Sequence, residues 1–175
     1  MSSSSVPSRA NPMLRNMALS LGLLLVPIVA LVLIWQWLSG GPATVDPSSA
    51  YDQARAANRY PVLEARGLSN WSVTRADVTL GSGGTATLRV GFISPTGGPA
   101  RLVQSDVAVT TLLPDELGGV RPPVGARTVG GRDWQVYTGR DKERALVYQQ
   151  PKYTVLVIGQ MPDSELNALA ASLRA

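Results

Sequence analysis

An uncharged apolar block comes first along the chain, followed by shorter segments of alternating polarity. Met17–Leu38, MALSLGLLLVPIVALVLIWQWL, runs 22 residues without a charge. As a helix it rises about 33 Å, enough to cross a hydrocarbon core of ~30 Å. Its only strongly polar side chain, Gln36, lies near the C-terminal end with Trp35 and Trp37, whose indole rings favour the lipid–water interface. Pro27 in the middle is tolerated in membrane spans. A cleaved signal peptide has an apolar core of only ~7–15 residues and a small-x-small site, and SGGPATVD offers a poor site around Ala43. The pattern therefore predicts an uncleaved transmembrane helix over residues 17–38. Arg9 and Arg15 precede it with no acid, while Asp46 and Asp52 follow before the first base, Arg55. Positive charge stays inside, so residues 1–16 are expected to be a disordered, Ser/Pro-rich cytoplasmic tail. Everything after the span is expected to be extracytoplasmic, on a plasma-membrane protein with a single pass.

Residues 39–60 read as a linker and a short helix. Ser39–Pro47 is made of turn formers, Ser49 and Asp52 stand at capping-box spacing, and Pro61 ends the helix. The expected role of this helix is a spacer that docks on the domain. Residues 61–175 then form the domain. Trp71–Leu80 changes phase midway, with Trp71 and Val73 on one parity and Ala76, Val78 and Leu80 on the other, so a bulge near Thr74–Arg75 is predicted. Thr85–Ser94 alternates, with Ala86, Leu88, Val90 and Phe92 facing inward. Further strands are expected at Arg101–Val109, Arg127–Tyr137, Arg144–Gln149 and Tyr153–Gly159. The last is apolar on both faces and so belongs in the middle of the sheet. Thr110–Leu117 reads as a helical turn and Gly118–Gly125 as a loop. Pro162–Arg174 predicts a helix: Pro162 suits its first turn, Asp163 and Glu165 suit its N-terminal dipole, and Leu166, Leu169, Ala170 and Leu173 form one stripe. The fold class is α+β, a mostly antiparallel sheet of about five or six strands with the C-terminal helix packed on one face.

Composition narrows the chemistry. The chain of 175 residues has no cysteine and no histidine. Disulfides, Cys-based zinc sites, a lipid-modified cysteine and Ser-His-Asp triads are all excluded, and the commonest general base is missing. Two of the 16 basic residues precede the span, leaving 14 against all 12 acidic ones in the rest of the chain. That balance argues against a nucleic-acid partner. Gly81-Ser82-Gly83-Gly84 lacks the Lys-Ser/Thr of a phosphate loop and reads as a hairpin turn. Asp115-Glu116 and Asp163 with Glu165 lack calcium-loop spacing and read as solvated helix ends. Lys142 and Lys152 fall in turns, where an ammonium stays protonated. The cluster Arg127, Arg132, Arg140, Lys142 and Arg144 is nearly balanced by Asp133, Asp141 and Glu143. Trp71 and Trp134 share parity with apolar neighbours and read as core, whereas Tyr137, on the opposite face, is the better candidate for an exposed contact. No catalytic, cofactor-binding or metal-binding residue is assigned.

Several short motifs occur in a characteristic order: Asn70-Trp71-Ser72, Gly91-Phe92-Ile93-Ser94-Pro95-Thr96-Gly97, Leu102-Val103-Gln104-Ser105 and Val129-Gly130-Gly131-Arg132-Asp133-Trp134-Gln135-Val136-Tyr137. Leu146-Val147 and a Val-rich strand ending at Gly159 complete the series. In this order the chain resembles the actinobacterial family called domain of unknown function 4245, from the span to the C-terminus. The resemblance implies a membrane-anchored topology and transfers no catalytic residue. A more distant similarity, in strand order and terminal helix, is to α/β/α sandwich domains of the photosystem PsbP type. The function expected is a non-enzymatic binding or scaffold module of the bacterial cell envelope. It would meet the lipid bilayer through its helix and an envelope protein or cell-wall component through its domain. The alternatives are a carrier of a small hydrophobic ligand and an accessory subunit of a larger membrane complex.

Overall fold

The computed structural model describes residues 25–34 and 44–175. Residues 25–34 are helical, and eight large apolar side chains among them, from Leu25 to Ile34, are 47–67% exposed. The rest of the expected span and the tail lie outside the described residues. Among the described residues no helix is both long and apolar enough to cross a membrane.

Pro42–Ala175 forms a second unit. Its elements are α1 (Ser48–Ala57), β1 (Glu64–Ala65), β2 (Ser72–Leu80), β3 (Ala86–Ile93), β4 (Pro99–Ser105), α2 (Val109–Leu117), β5 (Gly125–Val129), β6 (Arg132–Thr138), β7 (Arg144–Gln149), β8 (Thr154–Gly159), α3 (Asp163–Ser172) and β9 (Leu173–Arg174). Seven strands make one sheet in the order β2-β3-β4-β8-β7-β6-β5. Every neighbouring pair is antiparallel. β1 and β9 pair separately as a short ribbon.

The α+β class, the antiparallel sheet and the C-terminal helix are as expected. The bulge is there too: the β2–β3 register shifts between Val73 and Arg75. It returns Trp71 and Val73 to the core that also takes Ala76 and Val78. The strand count differs. Arg127–Tyr137 is a hairpin rather than one strand, because Gly130 and Gly131 have φ of 58° and 73°. Consecutive left-handed residues make the tight turn that suits strand twist, so Val129 faces Arg132 across it.

Both faces of the sheet are covered. On one, α1, α3 and the ribbon pack Tyr51, Ala54, Leu166, Leu169 and Leu173 with Leu88, Leu102, Trp134 and Val157. The stripe of α3 is the expected one, and the chain turns extended at Leu173. On the other face lies α2, expected only as a helical turn. Leu112 and Leu117 pack with Val103, Val147, Leu156 and Ile158. The expectation of a single helix-covered face is therefore corrected to three layers. The reason is β8, whose six residues are all buried. Helix α1 shares the main core through Ala50, Tyr51 and Ala54. Its start is held not by the Ser49/Asp52 box but by Asp46, which accepts from the Ser48 N–H at 3.0 Å and its hydroxyl at 2.6 Å.

The segment Tyr60–Leu63 is tied to the sheet by a buried polar knot. Gln104, 0% exposed on β4, accepts the Leu63 N–H at 2.8 Å and donates to the Leu63 carbonyl at 2.6 Å. The Tyr60 hydroxyl donates to the Gln104 carbonyl at 2.8 Å and accepts from the Leu88 N–H at 3.3 Å. Replacing Gln104 by Leu strands two buried backbone groups, each costing about 1–3 kcal/mol. The variant Gln104→Leu should lose roughly 2–4 kcal/mol, read as a lower denaturant midpoint with an unchanged slope.

Burial pushes the Tyr60 hydroxyl up from 10.0 to about 12. A raised acid pKa in the fold means that the unfolded chain ionises first as pH climbs. The associated stability is intact below pH 10 and is lost between 10 and about 12. The variant Tyr60→Phe should be less stable than the parent at pH 8 by about 1–2 kcal/mol through lost hydrogen bonds. The gap should shrink as denaturation is repeated across that alkaline window, and a constant gap would refute the assignment.

Candidate functional site

Two concave surfaces adjoin the α2 layer of the sheet. The first is a hollow of about 380 Å³ over Gly91, lined by Arg75, Asp77, Arg89 and Arg101. Helix α2 does not reach this part of the sheet with apolar side chains; charge takes their place. Glu116 near its C-terminus is 8% exposed. Arg89 approaches its carboxylate at 2.8 Å and Arg101 at 3.5 Å. Arg101 also meets Glu143 at 2.8 Å and donates to the Glu116 carbonyl at 2.7 Å, while Arg140 donates to the Asp115 carbonyl.

These arginines solve a problem that α2 creates for itself. Its sequence, VTTLLPDEL, places two acids in the last turn and no base. Negative charge there opposes the helix dipole, and the terminal carbonyls need donors. Guanidinium groups from β3, β4 and the Arg140–Lys142 turn supply both. Gly118 completes the end, with φ of 76° and its N–H on the Pro114 carbonyl. A Cβ there would come within 2.5 Å of the Arg140 side chain. Each arginine of the hollow is matched by a carboxylate, since Arg75 meets Asp77 at 2.7 Å. The hollow is thus a closed charge network.

The second surface is a groove. One stretch, about 360 Å³, lies between α2 and the following loop, with Val109, Leu113, Pro114, Val120 and Tyr137 as apolar walls and Arg121 at its side. A second, about 330 Å³, shares Val109, Thr110 and Gln149 with it and continues past Gln150–Thr154. A third, about 320 Å³, shares Gln150–Tyr153 and ends at Arg59, Tyr60 and Pro61. Neighbouring stretches thus share lining residues around the β7–β8 turn, and the third reaches Tyr60 and Tyr153, which pack with the core of the opposite face. Val120 is 89% exposed. Arg59 is matched by Asp106 at 2.7 Å. Arg121 and Lys152, by contrast, pair with no carboxylate among the described residues.

The remaining candidates take structural places. Gly81–Gly84 is the expected turn, with the Gly81 N–H on the Thr85 carbonyl at 2.8 Å. Asp163 is not a free helix end; it joins Arg127 at 3.2 Å and Arg144 at 3.1 Å. Glu165 accepts the Thr96 hydroxyl at 2.8 Å, and the Ser94 and Thr96 hydroxyls hold its carboxyl below the usual range. Arg132 donates to the Leu173 carbonyl at 3.2 Å and lies 6.0 Å over the Tyr148 ring. Lys142 sits in a turn, with φ of 69°. Trp134 is fully buried and bonds the Val129 carbonyl at 3.1 Å. Trp71 meets Phe92 edge-on at 6.3 Å. Tyr137 is on the opposite face as expected, yet only 7% exposed, with its hydroxyl on Gln135 at 2.8 Å. Glu116 departs furthest from expectation, being buried rather than solvated. The groove draws its walls from separate segments, so no single stretch of the sequence signalled it.

The variant Glu116→Gln removes the carboxylate that Arg89 and Arg101 share. Both guanidiniums keep access to water, so the cost should be about 1–2 kcal/mol, below the ~3–5 kcal/mol of a fully buried pair. Hydrogen exchange should rise in α2 and leave α3 protected.

No curated protein and no solved structure matches the chain. The family described as "Protein of unknown function (DUF4245)" matches residues 9–173, which reaches from the arginine-flanked tail to the start of β9. The order of motifs around Trp71, Phe92, Gln104 and Trp134 thus has its explanation, and the chain belongs to the DUF4245 family.

Proposed function

We propose that this chain is a membrane-anchored, extracytoplasmic binding or scaffold module of the bacterial cell envelope. One observation carries the reading: Met17–Leu38 is 22 residues without a charge, preceded by Arg9 and Arg15 and followed first by acids. The exposure of eight large apolar side chains along residues 25–34 supports it, because such a surface needs a nonpolar environment. The domain contributes the binding surface. The layer between sheet and α3 is filled by Leu166, Leu169 and Leu173, all at most 1% exposed, which favours a partner held on the outside over a ligand held within.

The full chain with a C-terminal tag should sediment with membranes and resist extraction by alkaline carbonate. In spheroplasts the tag should be cleaved by added protease. Release by carbonate would overturn the anchor, and a protected tag would reverse the orientation. The variant Leu25→Arg/Val29→Arg should shift the chain out of the membrane fraction, since each central arginine costs about 2.5–3.5 kcal/mol of insertion.

A further inference from the structure

We propose that the groove beside α2 binds an extended acidic peptide segment of a partner protein. This deepens the binding-module reading and rests on it. The charge of the groove sets it apart from the neighbouring hollow. In the hollow every arginine has its carboxylate within the chain. In the groove, Arg121 at one end and Lys152 further along have none among the described residues. Two unmatched cations separated along these stretches call for a ligand with separated negative charges.

The walls between them decide its class. Val109, Leu113, Val120 and Tyr137 form an apolar stretch that receives aliphatic side chains rather than a run of phosphates or hydroxyls. Val120, 89% exposed, is a large apolar side chain left open at the edge of this stretch. Thr110 lines two of the three stretches. Pro114 is four residues on and has no N–H, so the Thr110 carbonyl lacks its normal helical donor. A main-chain carbonyl without its i+4 donor suits a peptide N–H, which polyphosphate does not offer. Gln149 and Gln150 supply further amide donors and acceptors along the path. The mode is recognition of an extended chain by alternating apolar contacts, main-chain bonding and end charges.

The test is selection of random dodecapeptides displayed on phage against the full chain in nanodiscs, followed by fluorescence anisotropy with the enriched peptides. Enriched sequences should carry at least two carboxylates flanking aliphatic residues. Arg121→Glu/Lys152→Glu should weaken binding at least tenfold, and Val120→Asp should do the same. Arg75→Ala, in the closed hollow, should leave it unchanged. Enrichment of neutral or basic peptides, or binding indifferent to the double reversal, would overturn the proposal. So would polyphosphate binding with the same charge dependence in the absence of any peptide consensus, or sedimentation showing that Val120→Asp dissolves a self-dimer. Carbonate extraction reads the anchor and anisotropy with the purified full chain reads the groove, so failure of the one and failure of the other are separable.

Discussion

β8 lies fourth among the seven strands of the sheet, and all six of its residues are buried. Val155 and Val157 face one core, Leu156 and Ile158 the other. A strand apolar on both faces obliges the fold to supply a layer on each side. The main layer comes from chain ends: α1 arrives before the sheet begins, and α3 follows β8 directly. The second comes from the middle, where α2 interrupts the sheet between β4 and β5. The hairpin β6–β7 and its extension β5 then complete the sheet on the far side of β8. Almost every feature of the topology follows from where cover for β8 was found.

That second layer is the less secure of the two. Helix α2 is nine residues long, contains Pro114 and ends in acids. Its apolar contribution is chiefly Leu112 and Leu117. A helix this short is marginal without tertiary support. The arginines of β3 and β4 offset its weakness by turning an unfavourable C-terminus into an ion-paired one. This arrangement sets the character of the α2 side: charge is closed where the helix end meets the sheet, and open where the loop Gly118–Gly125 leaves it.

The domain therefore presents one face dominated by packing and one that mixes packing with polar surface. The buried knot of Tyr60, Leu63 and Gln104 belongs to the first and holds the entry segment of the domain against β4. The groove belongs to the second and runs past that same segment through Arg59 and Pro61. The groove and the entry of the chain into the domain thus share a boundary.

Local pattern was enough for the elements whose neighbours in sequence are also their reasons. The alternation of β3, the phase change that marks the β2 bulge, the central place of β8 and the stripe of α3 all follow from periodicity. Periodicity reports which side of an element is apolar. The order of short motifs was likewise enough to reach the family. The β5–β6 hairpin was legible in Gly130-Gly131, but the apolar residues on either side read equally well as one strand. Other features were decided only by tertiary structure. Glu116 reads as a solvated acid at a helix end until β3 and β4 bring Arg89 and Arg101 beside it, from 27 and 15 residues away. Tyr137 has the parity of an exposed residue until α2 covers it. The groove has no local signature, because its walls come from α2, the loop after it and the β7–β8 turn. Burial and charge matching depend on which distant segments become neighbours, and one-dimensional pattern carries no information about that.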